Sequence, residues 1–291
     1  MGVADLVPGV SGGTMALVLG VYERLVAALR QVTTWSTWSR LLRGDVRGFW
    51  RAAHASFLAP LVFGIAIAVI SLARLVEYTL ATYGVVLYAT FSGLVLAATV
   101  LLARRVARWR ATVVLTLLGT FTLTALLLLG TPGEGAATPL ALVSAGAIGI
   151  SALVLPGISG ALILVLLGQY GRVVAAIATF DLATLAPFAL GALIGIVSIA
   201  RIMDWLLRRA LTFTMAGLIG VMLASLQRVW PWLDADAGRV RLSPPPQALG
   251  ADGWLLALVA AAAGFAAVLL LERLAGSRGA SGTARGPRER E

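Results

Sequence analysis

The sequence predicts an all-α polytopic membrane protein built from two inverted-topology repeats, each with a re-entrant helical hairpin and about three transmembrane helices. Two observations lead there, the composition and an internal repeat of three blocks. Hydrophobic residues make up 59% of the 291 and charged residues only 12%, about half the charged share of a soluble domain. Residues 1–30 (MGVADLVPGVSGGTMALVLGVYERLVAALR) align without a gap with 149–178 (GISALVLPGISGALILVLLGQYGRVVAAIA). A second pair of blocks, 58–78 and 185–205, follows in the same order and aligns Pro60 with Pro187, Gly64 with Gly191, Arg74 with Arg201 and Glu77 with Asp204. A third, weaker match joins FSGLVLA at 91–97 to MAGLIGV at 215–221.

Crossing a hydrocarbon core of roughly 30 Å takes about 20 apolar residues as helix. Alternating ten-residue strands of the outer-membrane barrel kind are absent, so helices are left to satisfy the backbone in lipid. The first repeat is expected over 1–130, with a hairpin at 1–29 and spans at 57–76, 83–103 and 111–130. The second is expected over 131–272, with a hairpin at 139–177 and spans at 185–207, 211–229 and 252–272. Residues 273–291, rich in Gly, Ser and Arg, read as a disordered basic tail.

The net charge of +10 is explained by loop arginines under the positive-inside rule and does not indicate nucleic acid. The clusters are Arg30 to Arg51, Arg104 to Arg110, Arg208 with Arg209, and the tail. If each Pro-Gly-x-Ser-Gly segment enters and leaves on one face, every cluster and the C-terminus fall in the cytoplasm, 31–55 is a cytoplasmic loop, and the two hairpins enter from opposite faces. With no cysteine, neither a disulfide framework nor a thiolate metal site is available. No cofactor is expected.

Proline removes a backbone donor and glycine admits non-helical conformations, so Pro8-Gly9 and Pro156-Gly157 should break their helices. A helix resuming after such a break presents free N–H groups suited to phosphate, with Ser11, Thr14 and Ser159 adding hydroxyls. Gly12, Gly13 and Gly160 would let the ligand approach the backbone. The plainer reading is a Pro-Gly kink that serves close helix packing. Two copies in inverted repeats favour the first, because broken helices meeting near the midplane form the substrate site in many two-half transporters.

Arg24 and Arg172 follow the hairpins and read either as interfacial snorkelling residues or as phosphate ligands. Arg74 and Arg201 lie in or near the ends of apolar spans, where an arginine costs about 2.5–3.5 kcal/mol at the centre. Each has a carboxylate three residues on, so each is either half of a structural ion pair or an anion-binding group tuned by that carboxylate. Asp5 and Glu23 have no acidic counterpart in the second repeat. They read as proton- or sodium-coupling groups, or as a cap and a structural partner.

The strings GVADLVPGVSGGT and LGVYERL in residues 2–25, with LPGISG and LLGQY in 155–170, resemble the bacterial polyprenyl-phosphate transporter family. The resemblance covers most of 1–272. It implies a flippase in the bacterial cytoplasmic membrane that returns undecaprenyl phosphate from the outer to the inner leaflet for reuse in cell-wall synthesis. By matching position it implies functional roles for Asp5, Pro8, Gly9, Ser11, Gly12, Gly13, Thr14, Glu23, Arg24, Pro156, Gly157, Ser159, Gly160 and Arg172. Family members usually carry a basic segment ahead of the first motif, so the first hairpin is expected to lack most of its entering arm. The alternatives are a carrier of another phosphorylated lipid or small anion, and a polyprenyl-diphosphate phosphatase. The phosphatase would need an arginine directly after the serine, where this chain has Gly12 and Gly160.

Overall fold

The computed structural model describes residues 1–5, 11–129, 135–136, 138–230, 233–234, 241–242 and 250–282. Pro8, Gly9, the Gly133–Glu134 loop, Pro244–Pro246 and residues 283–291 lie outside the described residues. The first half comprises α1 (Gly2–Asp5), α2 (Gly12–Val18), α3 (Tyr22–Val32), α4 (Trp35–Leu42), α5 (Val46–Ala52), α6 (Ala55–Arg104) and α7 (Ala111–Leu128). The second comprises α8 (Pro139–Val154), α9 (Gly160–Leu166), α10 (Tyr170–Thr179), α11 (Leu182–Arg209), α12 (Leu211–Ser225) and α13 (Gly250–Gly282). The only pairing of extended strands among the described residues joins Leu233–Asp234 to Arg241–Leu242. Among the described residues, six segments are long and apolar enough to cross a membrane, two of them within α6. The chain is a multi-pass membrane protein.

Helix starts follow local chemistry. The Thr138 hydroxyl accepts the Ala141 N–H with Pro139 in the first turn, and the Asp181 carboxylate accepts the Ala183 N–H at 3.1 Å. Both satisfy donors that the first turn leaves open.

Three sequence expectations change. The 31–55 loop is folded into α4 and α5, where Asp45 caps α5 through the Gly48 N–H and the Trp38 ring packs at a tilt on Phe49, centroids 5.3 Å apart. The spans expected at 57–76 and 83–103 are not separated by a loop. They meet at Tyr83, whose φ of −128° and ψ of 34° interrupt the 50-residue α6. No proline or Gly-rich turn lies between them, so one non-helical residue makes the joint. The expected tail at 273–291 is helical as far as Gly282. No proline interrupts this stretch, and helix propagation adds residues cheaply once a long helix exists.

The sequence repeat reappears in the backbone. Gly20 (φ +67°) and Gly168 (φ +65°), matched in the alignment, both occupy the left-handed region and end the short helices α2 and α9. The bend from α9 to α10 is 115°. A Cβ on Gly2 would lie 2.9 Å from Ala68, and one on Gly195 would lie 2.6 Å from Ile150. Those two pairs are equivalent in the alignment, so α1 sits on α6 as α8 sits on α11.

The halves also exchange helices. The second span of α6 packs on α13, with Gly93 against the Ala261 carbonyl and Gly264 against that of Thr90. On the other side α12 packs on α7, with Gly220 against Thr120 and the Leu117 carbonyl. Glycine at these contacts lets the backbones approach closely, as apolar helices in lipid require. The buried core between them includes Tyr22, Val26, Val95, Ala216, Met222 and Val268.

Three arginine clusters converge at one end of the bundle. Arg30 pairs with Asp204 at 2.8 Å, Arg105 lies 3.9 Å from Glu23, and Arg108 and Arg110 share a cavity with Thr212 and Phe213.

Candidate functional site

The candidate site is the place where the two Pro-Gly-x-Ser-Gly segments touch. In the second segment α8 ends at Val154, the chain turns through Leu155–Ser159, and α9 folds back along α8. Gly160 faces the Gly149 carbonyl and Gly149 faces Leu164. Gly157 takes φ +91°, which a side chain would resist, and a Cβ there would lie 2.9 Å from Met222 of α12. At the far end of the hairpin, the Gln169 amide and Arg172 guanidinium donate to the Ala136 carbonyl, and Arg172 also donates to Gly135 and Gln169. The chain therefore arrives at α8 and leaves α9 at the same end.

In the first segment Ser11 is the N-cap of α2, with its Oγ accepting the Gly13 N–H at 3.1 Å. The Asp5 carboxylate accepts the Gly12 N–H at 2.7 Å. A Cβ on Gly12 would lie 2.5 Å from an Asp5 oxygen, so glycine is what allows the carboxylate so close.

The two tips are joined directly. The Ser11 hydroxyl donates to the Leu155 carbonyl at 3.3 Å, and the Gly157 N–H donates to the Thr14 hydroxyl oxygen at 2.9 Å. Gly13 packs on the backbone of Val154, Leu155 and Pro156. Ser11 and Thr14 are fully buried, and Pro156, Gly157, Ser159 and Gly160 are buried too. The structure thus gathers Asp5, Ser11, Gly12, Gly13, Thr14, Pro156, Gly157, Ser159 and Gly160. Three of the backbone donors expected to be free (Gly12, Gly13 and Gly157) are instead occupied by side chains of the first tip. The tips are chemically unequal, because Asp5 and Thr14 correspond to Leu153 and Leu162.

The remaining candidates lie elsewhere. The Arg24 guanidinium stacks on the Phe57 ring at 4.5 Å. Arg172 ties down the loop before α8. Arg74 is exposed on α6, and the Glu77 side chain lies outside the described residues. Arg201 is exposed on α11, and Asp204 pairs with Arg30 and Arg208. Of the two readings of Arg201, half of an ion pair with Asp204 is not what forms: Asp204 pairs with two other arginines, one of them on a different helix. Glu23 and Arg105 form a solvent-exposed pair, a geometry worth about 0–1 kcal/mol.

Sequence reasoning missed the Leu155 carbonyl, Met222, Gln169 and Arg30. Gln169 carried a signal, being a polar residue within an apolar repeat where the first half has Val21. A backbone carbonyl carries none.

The family described as undecaprenyl phosphate translocase-like matches residues 1–243. A polyprenyl-phosphate transporter from Vibrio cholerae is 34% identical over 292 aligned residues, covering 94% of each chain. No solved structure matches the chain. With a relative aligned over nearly its whole length and the two motif segments meeting in one buried cluster, this chain belongs to the undecaprenyl phosphate translocase-like family.

Proposed function

We propose that this chain is a flippase that carries undecaprenyl phosphate from the outer to the inner leaflet of the bacterial cytoplasmic membrane, for reuse as a lipid carrier in cell-wall synthesis. The observation that carries the proposal is the contact between the two Pro-Gly tips, made by polar groups of the kind that bind phosphate. A phosphate head bears between one and two negative charges and does not cross about 30 Å of hydrocarbon unaided, whereas a polyprenyl tail loses nothing by staying in lipid. The protein needs to supply only a polar path for the head.

On this reading each hairpin is re-entrant, the two enter from opposite faces, and the halves form inverted repeats with the C-terminus in the cytoplasm. The arginine clusters gathered at one end of the bundle support that topology. The tip contacts are then a closed gate. When the tips part, the hydroxyls of Ser11 and Thr14 and the N–H of Gly157 lose their partners, and a phosphate oxygen replaces them. Exchanging one set of hydrogen bonds for another costs little net free energy, which suits a site that must bind and release. Gly13 and Ser159 complete the tip surfaces. Asp5 is the coupling group: protonation, or a sodium ion, would weaken its hold on the Gly12 N–H and loosen the first tip. Arg24, Arg74 and Arg172 act on the approach to the tips rather than at them.

The test is a leaflet-resolved transport assay in vesicles, with pH and sodium gradients imposed separately. Cysteines placed at positions 11 and 155 of this cysteine-free chain, bridged by a short bifunctional reagent, should abolish flux, and reduction of the bridge should return it to the level of the unbridged double-cysteine variant. Full flux with the tips locked together would rule the mechanism out. The same preparation, given the diphosphate lipid, should release no phosphate; steady release would favour the phosphatase reading.

A further inference from the structure

We infer that the groove between α3 and the end of α11 is a second anion site, built for a phosphate monoester headgroup and separate from the tips. The groove encloses about 540 Å³ and is lined by Arg30, Arg201, Asp204, Trp205, Arg208 and Arg209. On α11, residues 201, 204, 205 and 208 recur at helical spacing and form one stripe. Eight residues of helix rise about 12 Å, so Arg201 stands roughly that far inward from Arg209. Arg30, in the last turn of α3, closes the opposite wall.

The charges are arranged for a ligand. Asp204 is buried, with its side chain 9% exposed, and it holds Arg30 at 2.8 Å and Arg208 at 2.9 Å. That carboxylate fixes two guanidinium groups and neutralises one charge. Arg201 and Arg209 are exposed on the same groove and have no part in these pairs. Four arginines against one aspartate leave three positive charges. A phosphodiester brings only one negative charge, whereas a monoester brings between one and two and three oxygens for guanidinium pairing. Trp205 is 59% exposed beside the arginines, and such a ring sits well at headgroup depth. An apolar tail could therefore stay in lipid while the head occupies the groove.

The first repeat has no equivalent. Arg208 and Arg209 align with Ala81 and Thr82, so the matching position on α6 carries Arg74 alone. The site thus belongs to one face of the protein. Reading it as a station for the transported lipid rests on the proposed function; binding of a phosphate monoester does not.

The test uses the full chain in detergent with Thr34, on the groove wall, replaced by cysteine and labelled with an environment-sensitive dye. The probes are farnesyl phosphate, farnesol, inorganic phosphate and phosphatidylglycerol. Saturable dye response to farnesyl phosphate is expected, weakened at least tenfold by Arg201→Gln with Arg209→Gln and absent with farnesol. Response to inorganic phosphate alone would support the site with a free ester as occupant. Equal response to phosphatidylglycerol, or no change in the double variant, would overturn the inference. Should the double variant fail to fold, Arg209→Gln alone, at the exposed helix end, carries the same expectation of at least threefold weakening. Ser11→Ala with Thr14→Val in the labelled background separates the two readings. Groove binding retained with flux lost supports both, whereas groove binding lost with the tips overturns a separate site. Groove binding retained with flux intact supports the groove and refutes the tip mechanism.

Discussion

Thr14 and Gly157 lie 143 residues apart and share one hydrogen bond, the Gly157 N–H donating to the threonine hydroxyl oxygen at 2.9 Å. Thr14 lies in the first turn of α2 and Gly157 in the turn between α8 and α9. Together with Ser11 on the Leu155 carbonyl, they turn two sequence motifs into one buried contact between the halves. Both hydroxyls come from the first tip and both backbone partners from the second.

Thr14→Val should leave the Gly157 N–H unsatisfied in a buried site, at a cost of about 1–3 kcal/mol. Thermal unfolding in detergent should register this as a lower midpoint, and flux should fall in parallel. Thr14→Ser keeps the acceptor and should retain most of both. Equal behaviour of the two variants would remove the hydrogen bond from the argument.

Gly12→Ala should be far more harmful than an ordinary helix substitution, because the added methyl would lie 2.5 Å from the Asp5 carboxylate. Combining it with Asp5→Gly relieves the clash. The double variant should therefore be more stable than the sum of the single changes implies, by about 0.5–3 kcal/mol as contacting residues usually couple. Additive effects would show that the two groups are not in contact.

Gly93→Ala drives a methyl into the Ala261 carbonyl, and Gly220→Ala drives one into that of Leu117. Each should reduce the yield of folded protein by separating the exchanged helix pairs. Gly119 and Gly64 face open space, so alanine there should be neutral or stabilising by roughly 0.5–1 kcal/mol through reduced chain entropy. Monodispersity on size-exclusion chromatography separates the two classes.

Asp181 caps α11 outside the membrane-spanning segment, and hydrogen bonds led by that from the Thr184 side chain hold its carboxyl below the usual carboxylate range. A group whose folded pKa is depressed adds stability above its unfolded value and loses it as pH falls through the folded one. The cap should therefore be fully effective above about pH 5 and fade only in stronger acid. Asp181→Asn keeps the cap geometry and should remove this part of the acid dependence of unfolding.

Much of this protein was legible in its residues. Membrane residence followed from composition, because few charges and long apolar runs leave helices as the way to satisfy the backbone in lipid. The repeat itself was legible as aligned blocks, but that Gly20 and Gly168 both end a helix and that α1 and α8 sit alike on their neighbours is seen only in the structure. The break at Pro156-Gly157 followed from local chemistry. What only the tertiary structure decided is non-local. Nothing in the alignment says that α6 pairs with α13 and α7 with α12, because glycine-lined apolar faces are alike and many pairings would bury them. Nothing in it says that Asp204 turns to Arg30 and Arg208 rather than to Arg201. Three guanidinium groups lay within helical or packing reach of that carboxylate, and the docking of α3 on α11 brought Arg30 in as the second partner. The closed tip contact is of the same kind: a motif specifies donors and acceptors, and only the packed fold determines which of them find each other.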